Sequence, residues 1–226
     1  IVEPAMMNCG VILPEPGYLQ GLADLCHEFG AYLAFDEVKT GATLAYGGAV
    51  GAFGVVPDIV CLAKAIGGGT PCGAIGATEE LFRLVVDGEY DMAGTFNGNP
   101  LTMAAMRATL TEVLTKDAYG TLNHLDAYLN ERLSAVIERY RLPAYVTGGG
   151  AKGSVIYSTT PVREYRDSLA IDERITYLAW LFQQNGGVFK APWSKQETWT
   201  LSVRHSDEDA QRYVDNFEVF ARAATS

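Results

Sequence analysis

Apolar residues follow two rhythms along this chain. Short uninterrupted runs, "IV" before Glu3-Pro4, "AYLAF" at 31–35, "PDIVCLA" at 57–63 and "CGAIGA" at 72–77, lack polar alternation, as strands covered on both faces do. Between the first two, Leu19, Leu22, Cys26 and Phe29 recur at helical spacing, with Pro16 ahead of them and Gly30 where a helix would stop. Strand, helix and strand joined by short turns predict an α/β arrangement on a mostly parallel sheet with right-handed crossovers.

Beyond residue 98 the rhythm changes. A helix is predicted over "NPLTMAAMRATLTEVL", with Asn99 as N-cap and Pro100 at N1, and another over "TLNHLDAYLNERLSAVIERY", where Leu122, Leu125, Leu129, Val136 and Tyr140 form one stripe. A strand "SVIYST", a helix "DERITYLAWLFQQNG", strands "GVFKAP" and "TWTLSV", and a last helix opened by Ser206 with Asp209 in capping-box position follow. This half reads as a small α+β domain, dividing the chain into residues 1–118 and 119–226.

Composition narrows the function classes. The 226 residues carry a formal charge of -10 without any Lys/Arg cluster, so the electrostatic footprint of a nucleic-acid binder is missing. No apolar run is long enough to cross a bilayer. Cys9, Cys26, Cys61 and Cys72 lack the paired spacing of a zinc site or disulfide framework, which predicts no metal and a reducing, cytoplasmic setting. The chain opens on a strand-like run without an initiator Met, so upstream sequence is expected.

The candidate chemistry sits at strand ends. In a parallel sheet, residues at the carboxyl ends of strands face the ligand crevice. Asp36 lies just past "AYLAF", Lys64 just past "DIVCLA", and Asn8 follows "IVEP". Alone, an acid there is as often a turn cap, and a lysine before Gly67-Gly68-Gly69 is more often a solvated strand end. Together they fit pyridoxal phosphate, which needs a lysine for a Schiff base and a carboxylate against its ring nitrogen. The Gly-rich "GTFNGNP" at 94–100 could offer backbone N–H groups and the Thr95 hydroxyl to a phosphate. The alternative of another class, a non-catalytic α/β ligand-binding module, gains nothing from "AKAIGGGT", which lacks P-loop spacing. His27 and His124 read as helix-surface residues and His205 as helix entry; Trp180, Trp193 and Trp199 read as core or dimer-facing aromatics, with Trp199 the one placed to line a substrate entrance.

Four segments, "IVEPAMMNCGVILPEPGYLQGLADLCHEFGAYLAFDEVKTG", "GVVPDIVCLAKAIGGGTPCGAIGA", "GTFNGNPLTMAA" and "GVFKAP…TLSVRHSDED", resemble in this order the class III pyridoxal-phosphate-dependent aminotransferases, above all their glutamate-1-semialdehyde 2,1-aminomutase branch. The resemblance implies fold type I: a large domain on a mostly parallel sheet, present here only in part, a small α+β C-terminal domain, and a homodimer with shared active sites. It implies that Asp36 pairs with the pyridine nitrogen, Val38 packs on the ring, Lys64 holds the cofactor, Thr95 contacts the phosphate of the neighbouring subunit's cofactor, and Asn8 reaches the ring hydroxyl. The implied activity is amino transfer between an amino acid or amine and a keto or aldehyde acceptor, with intramolecular transfer as the alternative. The family's N-terminal half, with its phosphate cup and stacking aromatic, has no counterpart in these residues. After "TG" this chain has Ala42 and Thr43 where many relatives have an aromatic residue and Arg; after "DEV" it has Lys39; Glu197 aligns with an acid of the aminomutase pattern.

Overall fold

The computed structural model describes residues 1–191 and 197–226. The chain divides into two units, one of residues 1–5 and 14–116, the other of residues 6–13 and 117–226. The break falls between Lys116 and Asp117, and the short 6–13 segment belongs with the C-terminal unit.

The first unit grows from the predicted helix and strands. Helix α1 (Tyr18–Glu28) buries Leu19 and Ala23. It ends in a Schellman turn: Gly30, at φ +65°, donates to the His27 carbonyl and Ala31 to the Cys26 carbonyl, as a left-handed C′ residue requires. Phe29 falls outside the buried stripe and is exposed. Strand β1 (Ala34–Asp36) pairs in parallel with β2 (Ile59–Ala63), Asp36 standing opposite Cys61. On the far side of β1, Val2 forms a single parallel bridge to Phe35, so "IV" contributes a bridge, not a full strand.

Strand β3 (Gly73–Ala77) departs from the expected parallel order and pairs antiparallel with β2, Ile59 opposite Ala77 and Ala63 opposite Gly73. The reason is length: residues 64–72 cannot hold the dozen or more residues that a parallel crossover needs. Nor is β3 covered on both faces, since Ile75 is half exposed. Helices α2 (Gly48–Phe53) and α3 (Glu79–Val86) occupy stretches that apolar periodicity leaves as connections. Helix α4 (Pro100–Ala108) starts as expected, with the Asn99 side chain accepting the Thr102 N–H at 2.9 Å, and runs on into a π-turn over Thr109–Val113.

The second unit is helices on an antiparallel sheet ordered β4 (Tyr145–Gly149), β5 (Lys152–Ile156), β6 (Glu197–Thr200). Helix α5 (Lys116–Tyr140) supplies Leu125, Leu129, Leu133 and Val136 to the core; α8 (Asp207–Thr225) adds Phe217 and Phe220, and Val155 lies beneath them. Each such side chain stabilises the fold by about 1.5–3 kcal/mol relative to exposure. Helices α6 (Tyr165–Ser168) and α7 (Glu173–Asn185) complete the unit. Helix α8 starts with the predicted reciprocal cap: Ser206 Oγ accepts the Asp209 N–H at 3.3 Å, and Asp209 Oδ2 accepts the Ser206 N–H at 2.9 Å.

The strand expected over "GVFKAP" is absent from its described part. Residues 187–191 form turn and loop, with Lys190 turned inward so that its ammonium donates to the Tyr213 hydroxyl at 3.2 Å; Pro192 lies outside the described residues, as does Trp193. Trp199 is a core residue packed edge-on to Tyr213, over Gly153, whose place admits no Cβ beneath the indole. Trp180 is half-buried, its indole N–H donating to the Ala191 carbonyl at 2.9 Å. Among the described residues, no helix is long and apolar enough to cross a membrane.

Candidate active site

The two adjacent carboxylates after β1 have opposite fates. Asp36 is half-buried at the strand end, its Oδ1 accepting the Val38 N–H at 3.1 Å. Glu37 turns inward and is 4 % exposed; its Oε2 accepts the Ala49 N–H of α2 at 2.7 Å and the Thr40 hydroxyl at 3.1 Å. Burial pushes the Glu37 carboxyl above the usual carboxylate range, and these two donors partly restrain it. The close approach demands glycine at two places. A Cβ on Gly48, already at φ +61°, would lie 2.5 Å from Glu37 Oε2, and one on Gly41 would lie 2.9 Å from the Glu37 carbonyl. So "DEVKTG" holds one acid at the sheet edge and uses the other to pin the following helix. Apolar periodicity does not reveal the role of Glu37; the signal is Thr40 three residues on and the Gly47-Gly48 pair beyond it.

Lys64 leaves β2 on the same edge as Asp36. Because β1 and β2 are parallel and Asp36 pairs with Cys61, the Lys64 Cα is offset by about 5 Å across the sheet and about 10 Å along it, on the order of 11 Å in all. Lys64 opens a 3-10 turn, Lys64–Gly67, with φ +54°, a left-handed conformation that side-chain-bearing residues rarely adopt. Its ammonium is exposed and makes no ion pair or hydrogen bond among the described residues. The pair therefore fits a pyridoxal-type group: an exposed amine, and a carboxylate at the end of the neighbouring strand whose second oxygen has no hydrogen-bond partner among the described residues.

Val38 follows Asp36 half-buried in the same turn. Thr95 is exposed at the first position of the turn that precedes α4. That turn is fixed by Asn97, whose backbone N–H donates to the Gly94 carbonyl at 2.9 Å and whose side chain donates to the Met92 carbonyl at 2.8 Å. Asn8 is exposed and lies in the other unit, on the small turn closed by the antiparallel Met6–Ile12 bridge. The structure thus gathers Asp36, Val38 and Lys64 at the ends of two hydrogen-bonded strands; Thr95 and Asn8 stand on separate loops. The histidines have other partners: His27 Nε2 contacts Asp58 at 3.0 Å and His124 Nε2 contacts Asp207 at 2.8 Å, while His205 Nδ1 accepts the Ser202 N–H before α8. Among the described residues no cluster of His, Cys, Asp and Glu could hold a metal ion.

Comparison with known proteins gives this geometry a family. The chain is 39 % identical over 224 residues to glutamate-1-semialdehyde 2,1-aminomutase 2 of Geobacillus thermodenitrificans, covering 98 % of this chain and 52 % of that one. Among solved structures, a β-phenylalanine aminotransferase from Variovorax paradoxus superposes with a TM-score of 0.91 at 32 % identity, over 98 % of this chain and 51 % of its own. A glutamate-1-semialdehyde aminomutase from Pseudomonas aeruginosa, solved in complex with PMP, matches with a TM-score of 0.88 at 28 % identity, over 100 % of this chain and 51 % of its own. The chain spans about half the length of the relatives it matches, and its fold is an α/β portion of fold type I. The family pattern of the class III aminotransferases, which depend on pyridoxal phosphate, runs through residues 1–177, and the chain belongs to that family.

Proposed function

We propose that this chain forms the lysine-bearing half of a pyridoxal-phosphate-dependent aminotransferase that moves an amino group from an amino acid or amine to a keto or aldehyde acceptor. The observation that carries the reading is the parallel register of β1 and β2, which sets Asp36 and Lys64 on adjoining strand ends. Bound pyridoxal phosphate supplies an electron sink for the charge left on a substrate carbon when its proton departs. Lys64 would hold the cofactor through its amine, and its Nζ, when free, would carry a proton between substrate atoms as general base and acid. Asp36 accepts the hydrogen bond of the protonated ring nitrogen and keeps that proton in place. Val38 packs against the ring face and excludes water from it. Thr95 would offer its hydroxyl to the phosphate bound by a second copy of the protein, which makes the working unit a homodimer.

The second reading is intramolecular amino transfer, favoured by the 39 % identity to an aminomutase. An external acceptor separates the two. With the purified protein, an amino donor and pyruvate or 2-oxoglutarate, the transferase reading expects the amino group on the added keto acid. Turnover that needs no keto acid, with no amino group appearing on it, contradicts that reading. Lys64→Ala tests the site itself: visible absorbance of the cofactor-loaded protein is lost if Lys64 is the attachment point.

A further inference from the structure

The turn that carries Lys64 is held from outside its own strand. A non-glycine residue keeps a left-handed backbone only where its surroundings over-determine it, and Lys64 sits at φ +54°. Just beyond it, Ile66 and Gly67 are buried, and the Gly67 carbonyl accepts both the Thr70 N–H at 3.1 Å and the Thr70 hydroxyl at 2.7 Å. Helix α4 provides the remaining support. Gly68 has φ +58°, and the place where its Cβ would stand is taken by Thr109 Oγ1, with the Ala105 carbonyl oxygen 3.3 Å away. Thr109 is itself fixed, donating its hydroxyl to the Ala105 carbonyl at 2.8 Å. It is also the residue at which α4 gives way to the π-turn Thr109–Val113, and such turns recur at functional sites.

We propose that Thr109 is a positioning residue for Lys64: its side chain, seated on Gly68, holds the Lys64–Gly69 turn in the conformation that leaves Lys64 left-handed at the end of β2. Thr109 acts through Gly68 and not by touching Lys64. The functional importance of that turn rests on the assignment of Lys64 as the cofactor lysine, whereas the mechanical claim concerns this chain alone.

The test uses the intact protein and two readouts, amide hydrogen exchange over residues 64–70 and the rate of pyridoxal phosphate uptake. Gly68→Ala places a methyl on Thr109 Oγ1 and an alanine in left-handed backbone, so it speeds exchange and slows uptake by about tenfold. Thr109→Ala alone speeds exchange about fivefold, the loss of a single contact. In the double variant the new methyl fills the space that Thr109 vacates, and part of the Gly68→Ala defect is recovered, the non-additivity of groups in direct contact. Thr109→Ser keeps the hydroxyl and matches the unsubstituted protein. Unchanged exchange in Thr109→Ala, or a double variant no better than Gly68→Ala, overturns the proposal. Lys64→Ala serves as the control: if it still binds cofactor covalently, the assignment of Lys64 fails, while the exchange results on residues 64–70 judge the role of Thr109 separately.

Discussion

Glu37→Ala distinguishes the two adjacent acids most sharply. In the folded protein the Glu37 carboxylate accepts the Ala49 N–H at 2.7 Å and the Thr40 hydroxyl at 3.1 Å while 4 % exposed. Hydrogen bonds to a charged group contribute about 1.5–3 kcal/mol each, and removing the acceptor leaves a buried donor unsatisfied. Desolvation of the carboxylate opposes this, as its raised pKa records, so the net loss is about 2–3 kcal/mol. For a unit of this size that lowers Tm by roughly 9–13 °C. Glu37→Gln presents an amide oxygen to the same donors and stays within about 1 kcal/mol of the parent. Because the Glu37 pKa is raised in the folded state, its protonated form contributes stability that is full below its ordinary 4.5 and is lost as pH rises through the folded value; Glu37→Gln flattens that dependence. Calorimetric unfolding at several pH values, with cofactor binding followed in parallel, makes the measurement. An unchanged Tm together with lost cofactor binding in Glu37→Ala would show that Glu37, and not Asp36, faces the cofactor.

Three further outcomes follow from the structure. Asp126 on α5 is driven by burial from an ordinary 3.8 to about 6, with Asn130 as its restraining hydrogen-bond donor; the stability this lends is full below pH 3.8 and lost as pH rises through 6. The whole shift is worth about 3 kcal/mol, and partial exposure reduces it to ~1–2, so Asp126→Asn raises the urea midpoint at pH 7 far more than at pH 4. Ser206→Ala removes the oxygen that caps α8 and costs about 1 kcal/mol, read as a lower urea midpoint with an unchanged slope. Gly48→Ala forces a methyl against the Glu37 carboxylate in left-handed backbone and destabilises by ~2 kcal/mol or more; a neutral result would mean that Glu37 does not pin α2.

The parts of the fold legible in the sequence are those in which one periodicity acts alone. The α5 stripe from Leu122 to Val136 is buried as its spacing predicts, and the caps at Asn99, Ser206 and Gly30 are where their side chains or their freedom of φ place them. Strand β4 is not legible in "AYVTGGG", whose closing glycines carry no strand pattern, yet Gly148 is there because Asp126 and Asn130 of α5 lie against it. Helices α2 and α3 are short, and apolar rhythm records neither what holds α2, the Glu37 carboxylate from outside it, nor what opens α3, the Thr78 cap. The direction of β3 depends on the length of the connection before it, a constraint that apolar patterning does not contain. At the site, residue type and strand-end position single out Asp36 and Lys64, but the left-handed backbone of Lys64 and its support by Thr109 emerge only from packing.

Borohydride reduction of the protein loaded with pyridoxal phosphate, followed by peptide mapping in a mass spectrometer, tests the central claim most directly. A pyridoxyl adduct is expected on Lys64 alone, and none in Lys64→Ala. An adduct on Lys39 or another lysine, with Lys64 unmodified, would contradict it.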